Sequence, residues 1–270
     1  MRISIRHETT YRLEEAARRS MQYLRLTPRH ERNQRTLHWV IKGPDQLTRW
    51  RDGFGNDAHF ATTKDDHALL TIYVEGEVET KETNGILSLD DGLPPNMFLK
   101  PTRLIKRSEM LDAFSEQFTN IIDKQGELSA LHLIMKELHD KVKYKAGVST
   151  VATPANEAFE KKQGVCQDFA HLFIAICHYH QIPARYVSGY LTEGAGVAAS
   201  HAWAEAYVPD LGWVSFDGAN CQCATEQYVR LAVGYDYTNA APIIGVRSGG
   251  EGEKMEVNVS VSVSQSQTQG

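Results

Sequence analysis

A cysteine, a histidine and an aspartate in the second half of the chain are the residues best suited to covalent chemistry. Cys166 lies in residues 164–171 (GVCQDFAH), where a glycine precedes what the pattern predicts to be the first turn of a buried helix. Exposed backbone N–H groups at a helix start favour a thiolate over a thiol. His201 and Asp217 follow downstream. A thiolate, an imidazole and a carboxylate are the groups that covalent acyl transfer requires.

Each of these residues also has a purely structural interpretation. Most free cysteines are small buried apolar residues, and Cys177, on the apolar stripe of the same predicted helix, fits that description. A histidine can be satisfied by a neighbouring carbonyl, and an aspartate before a glycine commonly forms a turn. Cys166 fits the description of a small buried apolar residue less well, because it occupies the helix start behind a glycine. We therefore predict that Cys166 is a nucleophile, that His201 transfers protons and that Asp217 orients the imidazole ring.

Other polar residues are weaker candidates. His171 is equally well explained as part of a polar helix face. Asp168 complements the helix dipole, although a carboxylate pointing at the thiol would oppose the thiolate. Cys221 and Cys223 form a Cys-x-Cys pair without a second cluster, whereas a structural zinc ion needs four ligands. We therefore predict no metal and no cofactor.

Composition narrows the class of protein. The chain has 270 residues with 29 basic against 34 acidic residues, and its net charge of -5 argues against binding to nucleic acid or an anionic membrane. No segment approaches the ~18–20 apolar residues of a membrane span, and the start of the chain lacks the apolar region of a secretory signal. Four cysteines are too few for a disulfide framework in a chain of this length, so we expect a reducing cytoplasm. Nothing in the sequence sets the oligomeric state.

The chain divides into two predicted regions, which gives an α+β fold class. Residues 1–95 are predicted to form an antiparallel, sandwich-like β domain, with period-two runs at 2–11, 20–27, 35–42, 59–63 and 68–80. Prolines at positions 94, 95 and 101 mark the boundary. Residues 96–270 are assigned to a second domain, which closes with a strand at 255–263 and a Ser/Gln-rich tail predicted to be disordered.

Helices come first in the second region. Apolar residues spaced three and four apart from Leu128 to Val142 predict an amphipathic helix. Thr153 and Pro154 predict the start of a short helix that Gly164 ends, and the helix from Cys166 stops before residues 182–183.

Strands are predicted at 185–191, 201–208 and 213–217, the last two joined as a hairpin by the turn at 209–212. That register places Asp217 opposite residues 202–203, on the same face as His201, so we expect the imidazole and the carboxylate to meet.

At these positions the chain resembles the bacterial transglutaminase-like superfamily. Four motifs occur in order, at residues 164–171 (GVCQDFAH), 182–190 (IPARYVSGY), 200–205 (SHAWAE) and 213–217 (WVSFD). The first region is similar to the β domain that precedes this core in many bacterial members, through residues 23–28 (YLRLTP) and 52–56 (DGFGN). The resemblance implies a papain-like core, in which a helix bundle packs on an antiparallel sheet, and a triad of Cys166, His201 and Asp217.

One departure concerns the segment after the aspartate. The family usually continues with proline, threonine and asparagine, whereas Asp217 is followed here by Gly218, Ala219 and Asn220. We therefore expect the local turn and the adjoining pocket to differ.

These residues predict a thiol-dependent acyl-transfer enzyme acting on a peptide, isopeptide or other amide bond. Cys166 would form a thioester, and its backbone N–H would hold part of the oxyanion. Hydrolysis by a cysteine peptidase or amidase is the preferred outcome, because nothing in the sequence specifies a lysine-binding acceptor site. The alternatives are a protein-glutamine cross-linking transglutaminase and a non-catalytic peptide-binding scaffold on the same fold.

Overall fold

The computed structural model describes residues 1–87, 92–192 and 198–263. Its strands are β1 (Arg2–Leu24), β2 (Gln34–Lys42), β3 (Thr48–Arg51), β4 (Asp57–Thr63), β5 (His67–Thr80), β6 (Lys143–Tyr144), β7 (Gln163–Gly164), β8 (Ala184–Thr192), β9 (Ala198–Val208), β10 (Gly212–Phe216), β11 (Tyr228–Gly234), β12 (Ile243–Gly249) and β13 (Lys254–Val263). Its α-helices are α1 (Glu109–Glu116), α2 (Thr119–Gln125), α3 (Glu127–Lys141), α4 (Ala155–Lys161), α5 (Cys166–Tyr179) and α6 (Tyr237–Ala240), and a 3-10 helix spans Pro95–Leu99. The α+β fold class is confirmed.

The first sheet is organised around β1. Among the described residues this antiparallel sheet has seven strands in the order β2-β5-β1-β4-β3, with β12 and β13 also paired to β1. The first half of β1 lies between β5 and β13, and its second half lies between β4 and β12. The period-two pattern predicts two strands here, at 2–11 and 20–27. The structure joins them into one strand, because the mostly charged and exposed residues at 12–19 continue the extended backbone without the alternation of burial that the pattern requires.

The C-terminal strand completes this first sheet. Residues 255–263, assigned to the second region on sequence, form most of β13, which pairs with β1 from Ile3 opposite Val263 to Arg12 opposite Lys254. The alternating valines of β13 explain why it pairs with β1, since Val261 packs in the core with Ile3 and Ile5. The division of the chain at residue 95 into two domains stays a prediction. The predicted disordered tail lies outside the described residues.

The second sheet positions the chemistry. Its antiparallel order is β10-β9-β8-β11, and β9 and β10 form the predicted hairpin with Val208 opposite Gly212. The sequence pattern does not predict β11, because its seven residues are all buried and therefore lack period-two alternation. Parts of β8 and β11 pack against the first sheet through Tyr190, Val229 and Leu231.

The helices, with α5 among them, pack against the second sheet and share one core with it. The predicted amphipathic helix is α3, and its apolar residues pack with those of α5 and of β8–β10 in one core. The predicted short helix is α4, but its N-cap is Pro154 rather than Thr153, so it begins one residue later than predicted, at Ala155. Lys162, in a left-handed conformation with φ 51°, ends the helix before Gly164 is reached. The first residue of α5 is Cys166, as predicted. Within the described parts of the chain, no helix has the length and apolar character needed to cross a membrane.

Candidate active site

Cys166 is the first residue of α5, and its side chain is partly exposed. The helix turn is fixed by Asp168, whose Oδ2 accepts hydrogen bonds from the Val165 backbone N–H at 2.8 Å and the Ser149 hydroxyl at 2.5 Å. A side chain at Gly164 would place a Cβ 2.6 Å from that of Asp168, which explains the glycine. Burial raises the pKa of Asp168, and these two hydrogen bonds oppose the rise.

His201 lies in β9, and Asp217 directly follows β10. The register pairs Phe216 with Ala204, so Asp217 comes next, opposite Trp203, as the hairpin predicts. His201 Nε2 is 2.6 Å from Asp217 Oδ2. Because Nε2 is engaged by the carboxylate, Nδ1 is the ring nitrogen left to face a thiol. The imidazole ring also lies nearly parallel to the Trp203 indole, with ring centroids 6.2 Å apart.

The surroundings of His201 favour its charged form. Burial works against the charge, but hydrogen bonds to the Asp217 carboxylate and to the Cys166 side chain, together with electrostatic interactions with both residues, raise the pKa of His201 to about 10. Burial would raise the pKa of Asp217, yet the hydrogen bond and charge of His201, together with the Tyr228 and Asn220 hydrogen bonds, hold it below its ordinary value. The arrangement is therefore a carboxylate, an imidazolium and a cysteine in contact at neutral pH.

Two residues absent from the predicted site complete the environment of Asp217. Tyr228 Oη donates to Asp217 Oδ2 at 2.7 Å, and Asn220 Nδ2 donates to the same oxygen at 2.8 Å. Tyr228 belongs to β11, the strand without a recognisable pattern, so no sequence signal pointed to it. Asn220 is the asparagine that this chain shares with the usual family motif, and that shared identity was the available signal.

The unusual segment after Asp217 still supplies hydrogen-bond donors. The backbone N–H groups of Ala219 and Asn220 donate to Asp217 Oδ1 at 3.0 and 3.3 Å. Gly218 lies against Phe169 of α5, and its carbonyl oxygen is 3.2 Å from His139 Nδ1. The turn thus differs in sequence from the family while keeping the carboxylate fully hydrogen-bonded.

The remaining candidates lie elsewhere or serve the scaffold. His171 is fully buried rather than on a polar helix face, its Nε2 accepts the Tyr237 backbone N–H at 3.1 Å, and burial lowers its pKa to about 4. Cys177 is buried within the apolar core, which raises its pKa well above the ordinary value. Burial raises the pKa of Cys223 to about 11. Across the described ranges, no three His, Cys, Asp or Glu side chains gather as metal ligands around Cys221 or elsewhere.

A buried charge network lies four residues further along β9. Glu205 Oε2 is 2.7 Å from Arg185 Nε and 2.6 Å from Arg230 Nη2. The Arg185 guanidinium also stacks over the Trp213 ring, 3.7 Å from its centroid. Arg230 reaches Glu31 of the first region, which in turn pairs with Arg29 at 2.8 Å. Two of the family-like motifs therefore also hold residues that join the two regions.

Comparison with known protein families gives two matches. Residues 113–218 match the transglutaminase-like superfamily, and this span contains Cys166, His201 and Asp217. Residues 3–79 match the bacterial transglutaminase-like N-terminal region.

Relatives and a solved structure match along nearly the whole chain. An uncharacterized protein of Mycobacterium leprae is 30% identical, with 92% of this chain and 94% of that protein covered. An uncharacterized protein of Mycobacterium tuberculosis is 28% identical, with 91% of this chain and 87% of that protein covered. A crystal structure from Cytophaga hutchinsonii, described as a "putative cysteine protease", superposes with a TM-score of 0.74 at 20% identity over 97% of each chain. At that identity the structural likeness shows the fold alone.

Proposed function

Because this chain belongs to the transglutaminase-like superfamily, we propose that it is a thiol-dependent acyl-transfer enzyme acting on a peptide, isopeptide or other amide bond. One observation carries the proposal. His201 is bonded to Asp217 at 2.6 Å through Nε2, and both Asp217 and Cys166 raise its pKa. A histidine so placed can stabilise a thiolate and then donate a proton.

In the first half of the reaction, Cys166 Sγ attacks the amide carbonyl carbon. The electron pair of the C=O bond moves to oxygen, and the Cys166 backbone N–H, unpaired by helix geometry at the start of α5, donates to that oxyanion. When the C–N bond breaks, His201 gives its proton to the leaving amine. The product is a thioester on Cys166.

In the second half, an acceptor attacks the thioester. Neutral His201 takes a proton from the acceptor, the C–S bond breaks and the thiolate returns to its imidazolium partner. With water as acceptor the reaction is hydrolysis, and with a primary amine it is cross-linking. We propose hydrolysis, because neither the sequence nor the described residues identify a site for a lysine acceptor.

Alkylation separates an enzyme from a peptide-binding scaffold. Wild-type protein is treated with iodoacetamide between pH 5 and 8, and modification of Cys166 and Cys177 is followed by mass spectrometry. Cys166 should react much faster than Cys177, and His201→Ala should remove most of this advantage. Equal, slow labelling of both cysteines would contradict the proposal and favour the scaffold.

Product analysis separates hydrolysis from cross-linking. The protein is incubated with a mixed peptide pool and a fluorescent primary amine, with Cys166→Ala as the matched control. Cleaved peptides that require Cys166 support hydrolysis, whereas incorporated amine supports a transglutaminase. Products identical to those of the control would overturn both.

We further propose a cytoplasmic location. The support is that Cys166, Cys177, Cys221 and Cys223 are all free thiols, as a reducing compartment maintains. Fractionation of cells that produce the tagged protein tests this, and recovery outside the cytoplasm would contradict it.

A further inference from the structure

A cavity of about 300 Å³ lies between the first sheet and segments of the second region. Sites for small ligands span about 300–1,000 Å³, so the cavity suits a single side chain with its flanking amide. Its walls are mostly apolar and include Tyr11, Leu13, Leu70, Tyr237, Val246 and Met255.

Two buried polar residues of β1 interrupt this apolar lining. Ser20 Oγ is 2.9 Å from His67 Nε2, and His67 Nδ1 is 2.8 Å from the Asp65 carbonyl oxygen. A carbonyl oxygen can only accept, so in the neutral imidazole Nδ1 carries the hydrogen and Nε2 accepts from the Ser20 hydroxyl. The Ser20 oxygen therefore keeps its lone pairs for a donor in the cavity.

Gln22 points to a ligand more directly. Its side chain is only 6% exposed, and its Oε1 accepts no hydrogen bond from any described residue. A buried amide oxygen without a donor is unfavourable for folding, which makes it a candidate for a binding role. Gly245 is its partner on β12, and a Cβ there would lie 3.7 Å from Gln22 Nε2. The glycine therefore keeps space open beside the amide.

The opposite wall is tied to the helix that begins at Cys166. The Tyr237 backbone N–H donates to His171 of α5 at 3.1 Å. Val151 follows the segment in which Ser149 donates to Asp168 in the first turn of the same helix. A group bound in the cavity would thus touch the segments that hold the Cys166 helix.

We propose that this cavity binds a neutral apolar side chain of a peptide, such as phenylalanine or leucine, with a neighbouring amide N–H donating to Gln22 Oε1. The further identification of that peptide as the substrate rests on the proposed function. The charges at the cavity favour a neutral group, because Arg247 and Glu253 pair with each other. Burial, with the charges of Glu253 and Tyr237, raises the pKa of Tyr11 to about 12, so its hydroxyl stays neutral.

Binding is measured on the full-length Cys166→Ala variant, titrated with N-acetyl-phenylalaninamide and followed by NMR. Saturable binding is expected, at least 10-fold weaker for N-acetyl-lysinamide. Gly245→Val, which fills the cavity, and Gln22→Met, which removes the acceptor, should each weaken binding at least 10-fold. Met21→Ala is the matched control, since Met21 is the neighbouring exposed residue of β1. It should leave binding unchanged.

No saturable binding, or binding indifferent to Gly245→Val in a folded protein, would overturn the proposal. Gly245→Ala serves if the valine variant does not fold. The two proposals can fail separately. Cavity-dependent binding without any Cys166-dependent product would contradict the enzyme alone, whereas hydrolysis with binding indifferent to the cavity variants would contradict this inference alone.

Discussion

Strand β9 carries two buried polar clusters of opposite character. Around Glu205, two arginines lie within 2.7 Å of one carboxylate oxygen, and all three side chains are almost fully buried. Around His201, the ring nitrogen is 2.6 Å from Asp217, while Cys166 is partly exposed. Arginine keeps its proton at any ordinary pH, whereas an imidazole and a thiol can exchange theirs.

The difference shows how residues of family-like motifs divide into roles. Arg185 and Glu205 lie in the motifs at 182–190 and 200–205, as His201 does, yet they form part of a fixed charge chain that continues through Arg230 to the first region. Burial with matched permanent charges indicates a structural role. Partial exposure with groups able to move a proton indicates a chemical one.

The largest effect is expected from the substitution that removes the nucleophile. Cys166→Ala should lower amide-bond turnover by at least about 10³-fold, because the covalent route is lost. Cys177→Ala on the same helix is the matched control and should retain turnover, although the cavity it leaves should lower stability. Rates measured on a cleaved peptide check both variants. Comparable losses in a folded Cys177→Ala would contradict the assignment.

The charge network predicts a loss of stability. Glu205→Gln removes the buried carboxylate charge that Arg185 and Arg230 share, so the free energy of unfolding should fall by about 3–5 kcal/mol. Urea denaturation measures the loss. Glu75→Gln, which removes the partner of Arg6 in an exposed pair, is the control and should change stability little. Equal losses of stability in Glu205→Gln and Glu75→Gln would contradict the structural role proposed for the buried charges.

The pH dependence of stability should distinguish the two clusters. The pKa of His201 is about 10 in the folded protein, and that of an unfolded histidine is about 6.5. Below pH 6.5 both states are protonated and the stabilisation is fully present, and it is lost as pH rises toward 10. The stability difference between wild type and His201→Ala should therefore shrink across this window in denaturation experiments. A difference that stays constant, or grows with pH, would contradict the assigned ion pairing.

The smallest effect concerns the positioning of Asp217. Tyr228→Phe removes one of several donors to the carboxylate, so kcat should fall about 10-fold while KM changes little. The pH profile of kcat should also shift, which a merely structural change would not produce. Tyr73→Phe, which removes a hydroxyl that donates to Glu75 on the first sheet, is the control. An unaltered kcat and pH profile would show that Tyr228 does not position the carboxylate.

Much of the candidate site could be predicted because its signals are local. The contact of His201 with Asp217 follows from one hairpin and its short turn, and the helix start at Cys166 follows from a glycine. Tyr228 was missed because β11 is uniformly buried and pairs with β8, about forty residues earlier. The first sheet was predicted strand by strand, but the pairing of β1 with β12 and β13 depends on contacts between the two ends of the chain.

The pairing of Ile3 with Val263 has a consequence for biosynthesis. Strand β1 is synthesised before β13, so one of its edges gains its neighbour only after the residues between the two strands have been translated. Until then that edge has unpaired N–H and C=O groups able to bind other nascent chains. We therefore expect a premature stop before residue 254 to release a product that aggregates through the unpaired edge of β1.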